Sequence, residues 1–182
     1  IKDLSIVVVD AHRGFGNARV IPAGPLRETV TTGLERADML LSIGSDTAQD
    51  TFTALWQHKI TCSHTRGNLR PLQTGMDWQN LDVLAFAGIG HPEKFFRTLR
   101  ELGVNLLGAQ ALDDHRPLSE PLLRRLQSDA TALNAQLVTT EKDAVRLPDA
   151  YRAEVLTVPV RLHINDWTVI DAALVRIGAI TA

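Results

Sequence analysis

Short apolar runs and amphipathic segments alternate along the chain. Four runs have the length and content of buried strands, at residues 6–9, 37–44, 82–87 and 104–111. Three segments place apolar residues three or four positions apart, as on one face of a helix, at residues 47–58, 93–102 and 119–134. Strands and helices in alternation are typical of a parallel sheet covered by helices. The pattern therefore predicts an α/β fold.

The remaining segments give weaker signals. Residues 136–138 and 155–162 predict two further strands, the second near a sheet edge because it contains Pro159. Residues 166–177 predict a closing helix. Asp46 precedes the first amphipathic helix and is of a type that caps helix N-termini.

One stretch fits neither pattern. Ile60 to Leu72 alternates only weakly and contains Gly67 and Pro71, so it predicts an exposed hairpin or a connector. We therefore divide the chain into three parts. These are a first α/β part at 1–60, a connector or hairpin at 61–81, and a second α/β lobe at 82–182 whose last helix could pack back on the first part.

Composition is that of an ordinary globular protein. The chain has 182 residues, is 45% hydrophobic and has a formal net charge of −2, which argues against broad nucleic-acid binding. No run approaches the roughly 18 apolar residues that a membrane-spanning helix requires. Cys62 is the single cysteine and cannot form an internal disulfide. Any membrane contact is therefore expected to be peripheral or supplied by another segment.

A carboxylate and an arginine-containing loop follow the first apolar run. Asp10 lies at the predicted carboxyl end of the strand, where open α/β sheets bind ligands. The glycine- and proline-rich loop after it contains Arg13, Arg19 and Arg27, whose guanidinium groups match phosphate oxygens. Asp10 either binds a hard cation such as Mg²⁺ or caps the next turn, and the arginines either bind anions or remain solvated.

Two later strand ends also carry candidate groups. Gly88 and Gly90 precede a predicted helix N-terminus, which suits a phosphate, although the glycines could simply permit close packing. Asp113, Asp114 and His115 follow the fourth apolar run. A carboxylate beside a histidine suits proton transfer, and a surface turn with a helix cap accounts for the three residues equally well.

Charged and polar groups near residues 91 and 142 are the last candidates. His91 follows the glycine turn and could face a ligand. Lys142 and Arg146 are four positions apart on a predicted helix that begins near Thr140, so they share one face. This face could steer a phosphorylated substrate, or its charges could pair with neighbours on the surface.

Taken together, three segments resemble one enzyme family. VVVDAHRGFGN followed by IPAGPLRE, then AFAGIGHPEKFF, then LVTTEKDAVRL, are similar in sequence and order to segments of the tetraacyldisaccharide 4′-kinases of lipid A biosynthesis. The resemblance implies a P-loop-kinase-like parallel sheet remnant plus a second α/β lobe, with 1–60 as the carboxyl-terminal part of a nucleotide-binding core. It also implies ATP-dependent phosphorylation of the 4′-hydroxyl of a tetraacyl glucosamine disaccharide 1-phosphate.

The resemblance also assigns roles to individual residues. It implies that Asp10 binds Mg²⁺ directly or through water, that His115 helps to deprotonate the sugar hydroxyl and that Asp114 orients His115. The guanidinium groups of Arg13, Arg19 and Arg27 would contact the phosphates of ATP. Family members lie peripherally on the cytoplasmic face of the bacterial inner membrane, through an amino-terminal segment that this sequence does not contain.

The phosphate-binding loop of such kinases has the pattern G-x-x-x-x-G-K-[ST], which does not occur in this sequence. The chain also starts at Ile1 with a strand-like run almost at once. We therefore expect a carboxyl-terminal portion of a longer protein, with little or no kinase activity alone. The alternatives are a non-catalytic sugar-phosphate-binding α/β domain and a glycosyltransferase-like enzyme.

Overall fold

The computed structural model describes residues 2–113 and 117–181. The strands are β1 (Ile6–Asp10), β2 (Met39–Ile43), β3 (Ser63–Pro71), β4 (Asp82–Ala87), β5 (Asn105–Ala111), β6 (Gln136–Thr140), β7 (Val155–Val158) and β8 (Val160–Ile164). The helices are α1 (Val30–Glu35), α2 (Asp46–Trp56), α3 (Pro92–Glu101), α4 (Glu120–Ala132), α5 (Glu141–Ala144), α6 (Asp149–Arg152) and α7 (Thr168–Arg176). In the described residues the strands form two four-stranded sheets with parallel pairing at their centres. The predicted α/β class is confirmed.

The chain folds into two compact units. The first unit contains the chain up to Arg70 and from Leu162 onward, and the second contains Pro71–Arg161. Within the predicted connector, the structure forms strand β3, which pairs in parallel with β2, rather than an exposed hairpin. The sequence signal for β3 is weak because its buried positions are Thr65 and Gly67 rather than aliphatic residues.

The first unit has its sheet in the order β1-β2-β3-β8. Helix α2 covers one face, where Phe52 packs with Val9 and Leu40. Helix α7 covers the other face, where Ile170 packs with Met39 and Leu41 of β2. The closing helix thus packs on the first unit.

Strand β1 is less buried than its sequence predicts. Val9 is in the core, but the side chains of Ile6 and Val8 are 41% and 58% exposed. The prediction that this run is a buried strand is therefore confirmed for Val9 and wrong for Ile6 and Val8. The physical reason is that Ile6 and Val8 lie on the face of β1 opposite Val9, and in the described residues the cluster under α7 on that side includes β2 and no residue of β1.

Two element ends also differ from the sequence prediction. Helix α2 is capped by Ser45, whose Oγ accepts a hydrogen bond from the Ala48 N–H at 3.5 Å, whereas Asp46 is the first helical residue. The strand predicted at 155–162 is two strands in different sheets, β7 and β8, separated by Pro159. Proline has no backbone N–H and cannot continue a ladder of hydrogen bonds.

A buried polar network joins β2, β3 and α2 in the first unit. Gln49 Nε2 donates to the carbonyl oxygens of Ser42 at 2.8 Å and Gly67 at 3.0 Å, so its Oε1 is the acceptor for the Ser42 hydroxyl at 2.6 Å. Ser42 Oγ lies 2.7 Å from His64 Nε2. Because the only hydroxyl proton of Ser42 goes to Gln49, His64 Nε2 must donate to Ser42.

Burial of His64 in this network should make the stability of the protein depend on pH. Burial, and then the positive charge of Arg66, lower the pKa of His64 below its ordinary value. The unfolded chain therefore binds the proton more readily, and the free energy of unfolding should fall as pH drops below about 6.5. Thermal unfolding between neutral and mildly acidic pH measures this slope. His64→Gln should flatten it, whereas the control His58→Gln, at an exposed position, should not; an equal slope in both variants would contradict the assignment.

The second unit is wound on both faces of its sheet. The strand order is β5-β4-β6-β7, and each neighbouring pair is parallel. Helix α3 packs on the face of β4 that contains Val83 and Ala85, and helix α4 packs on the face that contains Leu84 and Phe86. The chain passes from β4 to β5 on one side and then crosses to β6 on the other. The topological switch point therefore lies between the carboxyl ends of β4 and β6, the position at which such sheets bind ligands.

Candidate active site

Asp10 lies at the carboxyl end of β1, as predicted, and caps the next turn. Its Oδ1 accepts a hydrogen bond from the His12 N–H at 2.9 Å and a longer one from the Arg13 N–H at 3.4 Å. Its carbonyl oxygen accepts from the Gly14 N–H at 2.8 Å. The capping alternative is therefore observed, and it leaves the carboxylate in place at the end of the strand.

Aromatic packing fixes the first half of the loop after Asp10. Phe15 makes an edge-to-face contact with Trp56, with ring centroids 5.2 Å apart, and lies 5.9 Å from Phe52. Gly14 has φ +55°, and a Cβ there would lie 2.4 Å from Trp56 Nε1. A side chain at this position would thus be both strained and obstructed.

Asn17 ties the first half of the loop to the second. Its Nδ2 donates to the Ala23 carbonyl at 3.0 Å, and its Oδ1 accepts from the Arg19 N–H at 3.1 Å. A Cβ at Gly24 would lie 2.2 Å from Asn17 Oδ1 and 2.3 Å from the Arg19 carbonyl oxygen. Gly14, Asn17 and Gly24 therefore determine the conformation of the loop.

The three predicted phosphate-binding arginines lie on the outside of this loop. Arg13, Arg19 and Arg27 are all exposed. Within residues 2–113 and 117–181, none of the three appears in an ion pair, whereas nearby Arg36 pairs with Glu28. The loop therefore carries three exposed arginine residues, a residue type whose guanidinium group can bind an anion.

The Asp10 carboxylate fits a metal ion that binds together with a phosphate ligand. The residues that the structure describes contain no group of three or more carboxylate, imidazole or thiol side chains that could hold a metal ion. Mg²⁺ usually binds through one or two carboxylates and takes its remaining ligands from water and substrate phosphates. Asp10, a single carboxylate at a strand end, matches this kind of Mg²⁺ site, in which water and phosphate supply the other ligands.

A buried carboxylate lies at the switch point of the second unit. Asp143 is fully buried. Its Oδ2 accepts from the Gly88 N–H at 2.9 Å and from Thr140 Oγ1 at 2.8 Å, and its Oδ1 accepts from Arg146 Nη1 at 3.1 Å. Gly88 follows β4 and Thr140 ends β6. The carboxylate therefore joins the two strand ends that flank the switch point.

The polar groups predicted near the glycine turn have different outcomes. A Cβ at Gly88 would lie 3.2 Å from Asp143 Oδ1 and 3.6 Å from the Asp113 carbonyl oxygen, so close packing accounts for this glycine. His91 is partly buried, and its Nε2 is buried without a hydrogen-bond partner in the described part of the chain.

The catalytic candidates Asp114 and His115 lie outside the described residues. Their roles stay predictions.

Sequence reasoning missed the importance of Asp143. It gave this residue no committed role, and it placed Lys142 and Arg146 on one helix face. Helix α5 ends at Ala144, however, so the chain turns before Arg146 and brings its guanidinium group to the buried carboxylate. The one local signal was Thr140, three positions earlier, whose Oγ1 accepts from the Asp143 N–H at 3.2 Å.

Comparison with known families decides the family of the chain. The profile of the family described as tetraacyldisaccharide-1-P 4′-kinase matches residues 1–178. The chain belongs to this family. The match to the tetraacyldisaccharide-1-P 4′-kinase family thus extends well beyond the three segments whose sequences resemble the family.

Curated relatives in the same family are similar over almost all of the chain. The tetraacyldisaccharide 4′-kinase of Dinoroseobacter shibae is 62% identical over 174 residues, which are 95% of this chain and 52% of the relative. That of Jannaschia sp. is 59% identical over 175 residues, which are 96% of this chain and 53% of the relative. The chain spans about half the length of the curated relatives it matches.

A solved structure of the family shares the fold. LpxK from Aquifex aeolicus, crystallised in complex with ATP, aligns with a TM-score of 0.63 at 18% identity, covering 97% of this chain and 53% of that one. This likeness confirms the kinase-type α/β architecture that the sequence predicts. Among the described residues, the structure contains no helix long and apolar enough to cross a membrane.

Proposed function

We propose that the protein containing this chain transfers phosphate from ATP to the 4′-hydroxyl of a tetraacyl glucosamine disaccharide 1-phosphate, a step in lipid A biosynthesis. The family match over residues 1–178 is the observation that carries the proposal. Use of ATP is supported by the fold neighbour from Aquifex aeolicus, which binds ATP. Phosphoryl transfer depends mainly on positioning of the reactants and on neutralisation of phosphate charge.

The first unit would supply groups that neutralise charge. Asp10 would hold Mg²⁺, which supplies positive charge to the phosphate oxygens when it is bound. Arg13, Arg19 and Arg27 would donate hydrogen bonds to phosphate, because their guanidinium groups are exposed on a loop beside Asp10. Proton transfer would fall to His115, with Asp114 accepting a hydrogen bond from its ring and so fixing its orientation.

The chemistry of the substrate also suggests where the protein acts. A disaccharide with four acyl chains is a membrane lipid, and ATP is available on the cytoplasmic side. We therefore propose that the protein binds peripherally to the cytoplasmic face of the bacterial inner membrane, through a segment outside this sequence. Sedimentation of the protein with vesicles that contain the lipid substrate tests this placement.

Direct assay tests the proposed reaction. The protein encoded by the complete gene is incubated with radiolabelled ATP and the tetraacyl disaccharide 1-phosphate in detergent micelles, with Mg²⁺ or with a chelator. We expect label at the 4′-position that depends on the metal. A folded protein that transfers no phosphate, or that consumes a sugar nucleotide instead, would refute the proposal.

A further inference from the structure

A buried side chain of α2 holds the part of the first sheet that contains Asp10. We propose that Gln49 is a positioning residue for Asp10, and that it acts through the backbone of the carboxyl ends of β2 and β3. The inference rests on the proposed function in that Asp10 is the residue that would hold Mg²⁺. Neither the sequence prediction nor the proposed reaction gives Gln49 a role.

The register of the sheet places Asp10 in one row with the ends of β2 and β3. Asp10 pairs with Ile43 of β2, and Ile43 pairs with Gly67 of β3. Immediately after Asp10, the Ala11 N–H donates to the Ile43 carbonyl at 2.9 Å. Since ladder hydrogen bonds fix the spacing of neighbouring strands, the position of the β1 end depends on that of the β2 end.

The side chain of Gln49 binds the backbone of both neighbouring strands at this row. Its Nε2 donates to the Ser42 carbonyl at 2.8 Å and to the Gly67 carbonyl at 3.0 Å. The Gly67 carbonyl also accepts from the Gly44 N–H at 3.0 Å, so β2 and β3 are joined here by backbone and side chain together. Both amide protons of Gln49 are therefore used to hold the two strand ends.

The turn from β2 into α2 packs on the residue that follows Asp10. A Cβ at Gly44 would lie 2.9 Å from Ala11 Cβ and 3.3 Å from Ala48 Cβ. The absence of a side chain at Gly44 thus allows the start of α2 to lie close against the end of β1. Because protein interiors are densely packed and transmit displacement, a shift of the β2 end would carry Asp10 with it.

Stability alone does not require a glutamine at this position. Gln49 is 3% exposed and Ser42 is fully buried. Burial of an amide costs free energy unless it is hydrogen-bonded, and an apolar side chain of similar shape would avoid this cost. A satisfied buried network instead holds its members in one arrangement, and functional groups need placement within about 0.5 Å. Precise placement is therefore what Gln49 adds.

Steady-state kinetics of the complete protein test the positioning role. Methionine is unbranched like glutamine but has no N–H donor, so Gln49→Met removes both contacts with the strand carbonyls. It should lower kcat about ten- to hundredfold and raise the Mg²⁺ concentration that gives half the maximal rate, since a misplacement of about 1 Å can cost about a hundredfold. The KM for the lipid should not change. Wild-type kcat and Mg²⁺ dependence in Gln49→Met would overturn the positioning role.

A control variant changes the opposite face of the same sheet. Ile170 of α7 is buried in one cluster with Leu41 of β2. Ile170→Val should lower the unfolding temperature and leave kcat and the Mg²⁺ dependence unchanged. If it lowers kcat as much as Gln49→Met does, loss of stability accounts for the effect and the positioning role is overturned.

A double variant tests whether Gln49 acts through Asp10. Asp10→Asn/Gln49→Met should be no slower than Asp10→Asn, because a misplaced group that is already absent cannot be lost again. Full additivity of the two effects on kcat would overturn the positioning of Asp10 by Gln49.

Amide hydrogen exchange of the complete protein requires no turnover and keeps this inference distinct from the proposed reaction. In Gln49→Met, the amides of Ala11 and Gly44 should exchange about three- to tenfold faster than in the wild-type protein, as expected for loss of a neighbouring hydrogen bond. The Asp38 amide, which donates to the Ser5 carbonyl at 2.9 Å at the other end of the strands, should exchange at the wild-type rate. NMR spectroscopy resolves the three amides.

The exchange rates separate the possible failures. A wild-type protein without kinase activity whose Gln49→Met variant shows this exchange pattern would refute the proposed function and retain the role of Gln49 in fixing the row. Equal exchange at Ala11 and Gly44 in both proteins would overturn that role. If Gln49→Met fails to fold, the wild-type protein decides: its Ala11 and Gly44 amides should exchange more slowly than that of Asp38, and the reverse order would overturn the inference.

Discussion

Asp10→Asn should lower the rate of phosphoryl transfer by the complete protein about a thousandfold or more, because it removes the charge that would hold Mg²⁺. Asparagine is the informative replacement. Its side-chain oxygen can still accept the hydrogen bond from the His12 N–H that Asp10 Oδ1 accepts at 2.9 Å. The turn after β1 should therefore persist, and the loss should come from the missing charge. Steady-state rates over a range of Mg²⁺ concentrations measure the effect.

A second aspartate of the same unit serves as the control for Asp10. Asp50 is an exposed residue of α2 that pairs with Arg66 at 3.1 Å. Asp50→Asn should change the rate by less than about twofold, since exposed ion pairs contribute little. If Asp10→Asn unfolds at the wild-type temperature and transfers phosphate at the rate of Asp50→Asn, Asp10 has no part in the reaction.

His115→Ala should lower kcat by about 10²- to 10⁴-fold, the range for loss of a general base, while the KM for ATP stays the same. Steady-state kinetics of the complete protein over a range of ATP concentrations measure kcat and the KM for ATP.

The comparison for His115 is another histidine replacement. His58→Ala changes an exposed residue of the first unit and should leave kcat and the KM for ATP unchanged. A His115 variant that keeps the wild-type kcat but binds the lipid more weakly would assign His115 to substrate binding instead of proton transfer.

Hydrophobic pattern was enough to predict the class of fold. The run at 82–87 and the amphipathic helix after it appear in the structure as β4 and α3. The apolar residues on the two faces of β4 are buried by packing under helices on both sides of the sheet. The hydrophobic pattern does not predict strand β3. Its buried Thr65 and Gly67 carry little apolar surface, and its place depends on pairing with β2.

Long-range contacts set the limit for predicting the site. Asp10 could be placed at a strand end because strand and carboxylate are adjacent in sequence. The role of Asp143 could not be predicted, because its partner Gly88 is 55 positions away and aspartate is rarely buried. A single sequence contains no information about which distant backbone N–H will meet a given carboxylate.

The arginine-bearing loop has a consequence for the thermodynamics of binding. Its backbone conformation is fixed by the contacts of Phe15 with Trp56 and of Asn17 with Ala23. Most of the loss of main-chain freedom therefore accompanies folding. An incoming anion has only to immobilise the guanidinium side chains, so association should carry a smaller entropic penalty than it would with a disordered segment of the same charge.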